Sequence, residues 1–397
     1  LGAANAPALS IPKLATPISN STGRWSFTGN EITGFGVLKG GVRFVAGYPI
    51  TPATEILEWL AHAIPQCGGE MVQAEDELAS INMIIGASFG GAPAMTATAG
   101  PGLSLMTESL GLAVASETPL VVVDVMRSGP STGIATKSEQ SDLNIAVYGM
   151  HGDAPHVVTA PLSVSDCLLT AQWSAHLAES MQTPVIMLSD QSIGQARVVV
   201  DKPADIRFET KRLTPTEPIQ DYARYALTES GVSPMSIPGM AGGQYTADGL
   251  THNVKGTPSS QAQDHIAQMD KRRRKIEAFD YGAHWADIDG EGELAVITWG
   301  SSTQPIREGA ARARAEGVGV KLIALRLISP PQPKLLAEAL KGVKRALVIE
   351  QSHSGQFWRY LRAFYDLDIE VTPIPQPGPL PIRPGEALAY IRKGAQA

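Results

Sequence analysis

The sequence has few charged residues, few cysteines and no long apolar segment. Asp, Glu, Lys and Arg make up 18% of its 397 residues, whereas soluble domains contain about 25%, which indicates extensive subunit contact. The two cysteines, Cys67 and Cys167, form no CxxC pair, so we predict neither a disulfide framework nor a zinc or iron–sulfur site on this chain. No run approaches the roughly 18 apolar residues of a membrane span, and the start lacks a signal-peptide pattern. We therefore expect a cytoplasmic protein.

The chain also lacks the charge pattern of a nucleic-acid-binding protein. Its net charge is −7, and its one dense basic run is KRRRK at residues 271–275. We predict that this run is a solvated helix face. The histidines have no spacing typical of a metal site, so we expect no metal ion held by this chain. His353, in EQSHSGQFW, is predicted to be structural or interfacial.

Short apolar runs alternate with longer helical patterns in the first half of the chain, as in VRFVAG, APAMTATAG, PLVVVDVM, HVVTA and TPVIMLSD. This alternation predicts βαβ units and an α/β fold with a parallel sheet. A second, shorter α/β pattern follows, so we place one domain at residues 24–283 and another at 284–397.

Three other segments have their own character. Residues 1–23 are rich in Ala, Pro and Ser and predict a linker, which suits a longer gene product. Residues from about 200 to 283 are polar and rich in Pro and Gly, which predicts either an ordered insertion or a disordered loop. The tail TPIPQPGPLPIRPGE is predicted to run extended along a surface or a partner.

Ligands of an open parallel sheet bind beyond the carboxyl ends of its strands, which draws attention to three strand-to-helix corners. In GYPITPATEILEWL (47–60), Thr51 is the expected helix N-cap and Pro52 the first helical residue. In TATAGPGLSLM (96–106), Gly100 and Gly102 allow close approach of a ligand to the backbone and to the free N–H groups of a helix start; a tight turn is the alternative. Arg127 ends the strand PLVVVDVM, where it could bind a carboxylate or phosphate or pair with a neighbouring helix.

One acid lies on the apolar face of a predicted helix. In QAEDELASINMIIGASFGG (73–91), Glu77 shares its face with Ile81, Ile84 and Ile85. A carboxyl group there is costly unless it has a dedicated partner, so Glu77 is a site candidate. GASFG in the same helix matches the serine-hydrolase G-x-S-x-G pattern, but that motif requires a strand and a sharp turn at the serine, and Ser88 lies inside the helix pattern.

These motifs resemble a known family in their order along the chain. YPITP (48–52), the acidic helix start at Glu77, MTATAGPGLSLM (95–106) and MRSGPSTG with TKSEQSDL (126–143) resemble the α subunit of 2-oxoacid:ferredoxin oxidoreductases, closest to the 2-oxoglutarate type. The resemblance extends from about Trp25 to the last residues, and includes VSPMSIPGM (232–240). It implies a domain at 24–283 that binds the pyrimidine side of thiamine diphosphate, followed by a transketolase C-terminal-like α/β domain.

The resemblance implies roles for the matching residues. Glu77 would be catalytic, because a carboxyl group bonded to the aminopyrimidine ring favours the imino tautomer that removes the reactive thiazolium proton. Thr51 and Arg127 would bind the substrate's keto-acid end. The residues implied to contact the cofactor are Glu77, Pro49, Ile50, Gly100 and Gly102.

The resemblance also implies a partner. It implies that a β subunit holds Mg²⁺, the diphosphate and a [4Fe–4S] cluster, and that this chain alone is inactive. The sequence agrees, since it contains no Gly-Asp-Gly followed by a distant Asn. The implied reaction converts 2-oxoglutarate and coenzyme A to succinyl-CoA, CO2 and reduced ferredoxin in an (αβ)2 complex. Pyruvate or a branched-chain or aryl 2-oxoacid is the alternative substrate, and a non-catalytic α/β scaffold subunit is the alternative of another class.

Overall fold

A computed structural model describes residues 23–208 and 211–396, so the predicted linker at 1–23 lies outside the described residues apart from Gly23. The strands are β1 (Arg24–Thr28), β2 (Phe44–Gly47), β3 (Glu70–Gln73), β4 (Ala94–Thr98), β5 (Leu120–Met126), β6 (Val157–Thr159), β7 (Pro184–Asp190), β8 (Arg197–Asp201), β9 (Ala286–Asp289), β10 (Leu294–Trp299), β11 (Val320–Leu325), β12 (Leu327–Ser329), β13 (Arg345–Glu350) and β14 (Glu370–Pro375). The helices are α1 (Gly29–Lys39), α2 (Thr54–Ala63), α3 (Glu77–Phe89), α4 (Gly100–Ala115), α5 (Leu143–Tyr148), α6 (Asp166–Met181), α7 (Gln191–Gln195), α8 (Ala262–Glu277), α9 (Thr303–Ala315), α10 (Pro333–Ala339), α11 (Gln356–Phe364) and α12 (Pro384–Gln396). None of the helices in these two ranges has the length and apolarity that crossing a bilayer requires.

The larger sheet has seven strands in the order β12-β6-β7-β5-β4-β2-β3. All neighbouring pairs are parallel except β12 with β6. Strands β4, β5 and β7 are buried along their whole length, as expected for apolar strands covered by helices on both faces. From β2 the chain moves to β3 on one side and then to β4 on the other, which opens a crevice at the carboxyl ends of β2 and β4.

A second sheet has five strands in the order β14-β13-β10-β11-β9, and only β9 is antiparallel to its neighbour. Strands β1 and β8 form a separate antiparallel pair. The predicted parallel α/β character of both parts is thus confirmed. Strand β12 follows β11 in sequence but pairs with β6 of the larger sheet, so the two sheets are joined through the chain after residue 284. The domain boundary at 283 and 284 stays a prediction.

The proline-rich tail is part of the fold. Its first residues form the edge strand β14, which pairs with β13, and α12 follows. Pro373 and Pro375 lie in this edge strand, where a missing N–H is tolerated because no further strand needs it. The prediction of an extended surface segment therefore describes only the strand and the short loop before α12.

The described residues of the polar segment between β8 and α8, 202–208 and 211–261, form an ordered insertion. It contains little regular secondary structure, yet Tyr225 and Met235 are buried, and α8 closes over it. The prediction that the basic run of α8 is solvated is wrong, because Lys271, Arg272 and Lys275 are buried and only the middle of the run is accessible. The cause is Glu117 of the same chain, a buried acid just after α4, whose carboxylate binds Lys271 and Lys275 on this face of α8.

Candidate active site

The corner after β2 is fixed by two side chains from elsewhere. Arg127 donates from Nη1 to the Thr51 carbonyl at 2.7 Å, and Asn30 donates from Nδ2 to the Pro52 carbonyl at 2.9 Å. The prediction that Thr51 caps α2 is wrong: a turn closed by the Ile50 carbonyl intervenes, and Ala53 is the N-cap. The Thr51 side chain is exposed at the crevice instead.

Glu77 is the first residue of α3. The preceding residue, Asp76, is the N-cap and accepts from the Ala79 N–H at 2.7 Å. Glu77 is only 7% exposed and shares its face with Ile81 and Ile84, both fully buried, which confirms that it lies on the apolar stripe. Across residues 23–208 and 211–396, no group donates a hydrogen bond to its carboxylate and no cation pairs with it. Glu77 is therefore a buried acid whose partner this part of the chain does not supply.

The start of α4 packs directly on this acid. A Cβ added to Gly102 would lie 2.1 Å from Thr98 Oγ1 and 2.8 Å from Glu77 Oε1. A Cβ added to Gly100 would lie 2.6 Å from Asp142 Oδ2. Only glycine fits at either position, so the predicted glycine corner places the N-terminus of α4 between two carboxyl groups.

Arg127 lies just beyond β5 and is 7% exposed. Its Nη1 bonds to Thr51, but its Nε is buried with no partner among the described residues. No described acid forms a salt bridge with it, so the alternative of pairing with a neighbouring helix is not observed. A buried guanidinium with donors to spare can bind a carboxylate.

Arg127 opens into a cleft of about 650 Å³. Its walls are the start of α4, the loop 128–144 and the loop before α11 in the second half of the chain. His353, predicted to be structural or interfacial, is exposed in that loop and lines the cleft with Asp142 and Glu139. Sequence reasoning missed these acids as site residues, although EQSD follows Arg127 in the quoted motif.

Two carboxyl groups close to Arg127 are strongly perturbed. Asp124, in the middle of β5, is fully buried, and burial together with the neighbouring Asp142 raises its pKa well above the usual range. Burial also raises the pKa of Asp142 to about 6, against opposing effects of Ser141, Asp124 and Arg127. Clustered acids of raised pKa are typical of functional sites.

The remaining candidates are less central. Pro49 is exposed and Ile50 is half-buried against the core, so each could offer only apolar or backbone contact to a ligand. Ser88 lies within α3, donates to the Pro119 carbonyl and accepts from Arg212 at 3.1 Å, which is a structural role. Within the described ranges, no group of three or more His, Cys, Asp or Glu side chains is arranged to hold a metal ion.

Residues 35–271 match the family described as pyruvate flavodoxin/ferredoxin oxidoreductase, thiamine diphosphate-binding. The 2-oxoglutarate synthase subunit KorA of Methanothermobacter marburgensis is 34% identical over 93% of this chain and 99% of that protein. A solved 2-oxoglutarate:ferredoxin oxidoreductase from Magnetococcus marinus, with 2-oxoglutarate, coenzyme A and succinyl-CoA bound, is 37% identical with a TM-score of 0.89. It is matched over 94% of this chain and 66% of that one.

A split-gene transketolase, 13% identical with a TM-score of 0.55 over 93% of this chain and 99% of that one, shares the fold alone. The predicted fold class, including the transketolase-like second part, is thereby confirmed. The family match covers more than half of the chain, and a full-length relative exceeds 30% identity. The chain therefore belongs to the thiamine diphosphate-binding family of pyruvate flavodoxin/ferredoxin oxidoreductases.

Proposed function

We propose that this chain is the α subunit of a thiamine diphosphate-dependent 2-oxoglutarate:ferredoxin oxidoreductase. The reaction joins the acyl group of 2-oxoglutarate to coenzyme A, releases CO2 and passes two electrons to ferredoxin. The observation that carries the proposal is Glu77, a residue only 7% exposed at the sheet crevice, whose carboxylate is bonded by no group of the described chain. Relatives with this substrate in their names, one of them matched over almost its whole length, support the choice of 2-oxoglutarate.

The residues at the crevice fit the pyrimidine side of thiamine diphosphate. Glu77 lacks a hydrogen-bond partner within the described chain, and a ring nitrogen that shares a proton with it would supply one. Gly100 and Gly102 keep the start of α4 open to a flat ring, and Ile50 offers it an apolar contact. When bound, the cofactor would supply the carbon nucleophile that attacks a 2-oxoacid and accepts the electrons left after decarboxylation.

The chain's own residues would orient the substrate. Arg127 has an unpartnered Nε, and its fork would bind the 1-carboxylate of the 2-oxoacid. Its Nη1 also holds the Thr51 carbonyl, so substrate binding and the position of the Thr51 hydroxyl are linked. The tight packing around Gly102 would exclude water from Glu77 while the proton moves.

A partner β subunit completes the proposed enzyme. On the strength of the family resemblance, we assign Mg²⁺, the diphosphate and the [4Fe–4S] cluster to that partner. An (αβ)2 complex follows from the same family resemblance. We assign the pyrimidine-binding role to residues 24–283.

The test is to co-express this chain with its β subunit and to measure ferredoxin reduction with coenzyme A and a panel of 2-oxoacids. We expect the highest kcat/KM with 2-oxoglutarate and no activity from either chain alone. A preference for pyruvate or for a branched-chain or aryl 2-oxoacid would show that the proposed substrate is wrong, while the proposed reaction type would stand. If none of the 2-oxoacids supports ferredoxin reduction by a correctly assembled complex, the result would favour the non-catalytic scaffold alternative.

A further inference from the structure

Asp142 is an acid at the cleft, and the proposed reaction assigns it no role. It is 9% exposed, and its buried carboxyl group lies against that of Asp124. Gly100 packs against the same carboxyl group so closely that no Cβ would fit between them. Because Asp142 and Arg127 line one cleft, an anion bound to the arginine would lie near this acid.

A single hydroxyl connects Asp142 to Arg127. Ser141 Oγ lies 2.9 Å from Asp142 Oδ1 and 2.8 Å from the Arg127 carbonyl oxygen. The hydroxyl has one hydrogen, so with Asp142 ionised two acceptors compete for it. With a proton on Oδ1, Asp142 donates to Ser141, and Ser141 donates to Arg127. All three groups are then satisfied at the observed distances.

Burial of Asp142 favours its protonated form, whereas Ser141, Asp124 and Arg127 oppose that effect while no anion is bound. Asp124, on β5, is fully buried, its pKa is raised well above the usual range, and its carboxyl group hydrogen-bonds to that of Asp142, which lowers the pKa of Asp142. The other titratable or charged groups facing Asp142 are Arg127, Glu139 and His353, and Arg127 alone of these carries a fixed positive charge. Since burial brings the pKa of Asp142 to about 6, the acid is largely ionised at pH 7 before an anion arrives. A carboxylate bound at Arg127 would raise that pKa further by like-charge repulsion.

We propose that Asp142 takes up one proton from solvent when the 2-oxoacid carboxylate binds at Arg127, and that protonated Asp142 positions Arg127 through Ser141. The proton passes from buffer to the Asp142 carboxylate, and no covalent bond of the ligand changes. Asp142 is thus a positioning residue. The identity of the ligand rests on the proposed function, whereas the proton uptake is a property of these residues.

The test is isothermal titration calorimetry of the assembled, thiamine diphosphate-loaded complex with 2-hydroxyglutarate. This probe keeps the 1-carboxylate but has no keto group to react. Binding enthalpies at pH 7 in two buffers of different ionisation enthalpy give the number of protons taken up. We expect uptake approaching about 0.9 proton per site, because a pKa of about 6 leaves Asp142 mostly ionised before binding and the proposal has it protonated in the complex.

Matched variants identify the acceptor. D142N should reduce the uptake to nearly zero, because an amide of the same shape does not titrate. E139Q, a neighbouring acid in the same cleft, should keep the uptake. S141A should bind the probe more weakly, because the link to the Arg127 carbonyl is lost, and should lower the uptake at pH 7, because the Ser141 hydrogen bond that lowers the pKa of Asp142 is removed. Equal uptake in D142N and the unmodified complex would overturn the proposal.

The pH dependence of KM and kcat in the unmodified enzyme gives a second readout, which does not depend on the stability of D142N. In the unmodified enzyme, KM should rise with pH above about 6, by up to about tenfold per unit, while kcat stays nearly constant. In D142N the KM profile should be flat. An active complex with no proton uptake and a flat KM profile would refute this inference alone, whereas a complex inactive with all 2-oxoacids would refute the proposed function.

Discussion

Two buried glutamates lie at the two ends of α4, and their surroundings are opposite. Glu77 contacts Gly102 in the first turn of the helix and is 7% exposed. Glu117 follows the last turn and is fully buried. Lys271 and Lys275 bond to the two carboxylate oxygens of Glu117, the second at 2.7 Å, whereas no described cation or donor reaches the carboxylate of Glu77.

This difference indicates that Glu117 stabilises the fold, whereas Glu77 binds a ligand. Burial alone would raise the pKa of Glu117, but Lys275, Lys271 and Arg224 outweigh it and hold that pKa far below the usual range. The desolvation cost is offset by pairing within the chain. Glu77 is 7% exposed and has no such partner within the described chain, so its carboxylate is available to a bound group. That contrast is the physical basis of the proposed active site.

The largest effect is expected for E77Q. The amide keeps the shape but cannot exchange a proton with a ring nitrogen, so ferredoxin reduction should fall by about 100-fold to 10,000-fold. The free energy of unfolding should change by less than about 1 kcal/mol, because no partner within the chain is lost. Steady-state turnover and thermal unfolding of the same preparation check both. Unchanged turnover would remove the catalytic role and favour the scaffold alternative.

E117Q should show the reverse pattern. It leaves two buried lysines without their acid, which we expect to cost about 3–5 kcal/mol of unfolding free energy, while kcat per folded complex stays near that of the unmodified enzyme. Because the folded pKa of Glu117 is depressed, the loss should be complete above its ordinary pKa of 4.5 and should shrink as the pH falls below it. Denaturant unfolding at pH 7 and pH 4 tests this. A loss of turnover without a loss of stability would contradict the comparison.

R127K should raise KM for the 2-oxoacid by about tenfold to 100-fold, because lysine lacks the planar fork. The change in kcat should be smaller. Arg212 offers a matched control: it is a buried arginine that bonds to Glu179 at 2.8 and 2.9 Å, away from the cleft. R212K should therefore lower the thermal unfolding temperature and leave KM unchanged. Equal effects of the two variants on KM would show that Arg127 acts through the fold.

The smallest effect is expected for S88A. The variant removes a hydrogen bond from the Ser88 hydroxyl to the Pro119 carbonyl, which should cost about 1–3 kcal/mol of stability since the acceptor is left buried. Ferredoxin reduction should be unchanged. Labelling by a fluorophosphonate probe that disappears in S88A would instead revive the serine-hydrolase pattern.

The parallel strands and the buried face of α3 were predictable from the sequence, because apolar runs and helical periodicity are local signals. The N-cap at Thr51 was not, since long-range hydrogen bonds from Asn30 and Arg127 fix that corner. The burial of KRRRK was also missed: it depends on Glu117, more than 150 residues away in sequence. Asp142 was missed for the same reason, because only its contacts with Gly100 and its place in the cleft beside Arg127 mark it as a site residue.

The most direct measurement is an experimental structure of the assembled αβ complex with thiamine diphosphate bound. The account predicts a Glu77 carboxylate oxygen within about 2.6–3.2 Å of a nitrogen of the pyrimidine ring, with Gly102 packed beside it. A Glu77 carboxylate paired with a residue of either chain, or a pyrimidine ring bound away from the crevice between β2 and β4, would contradict it.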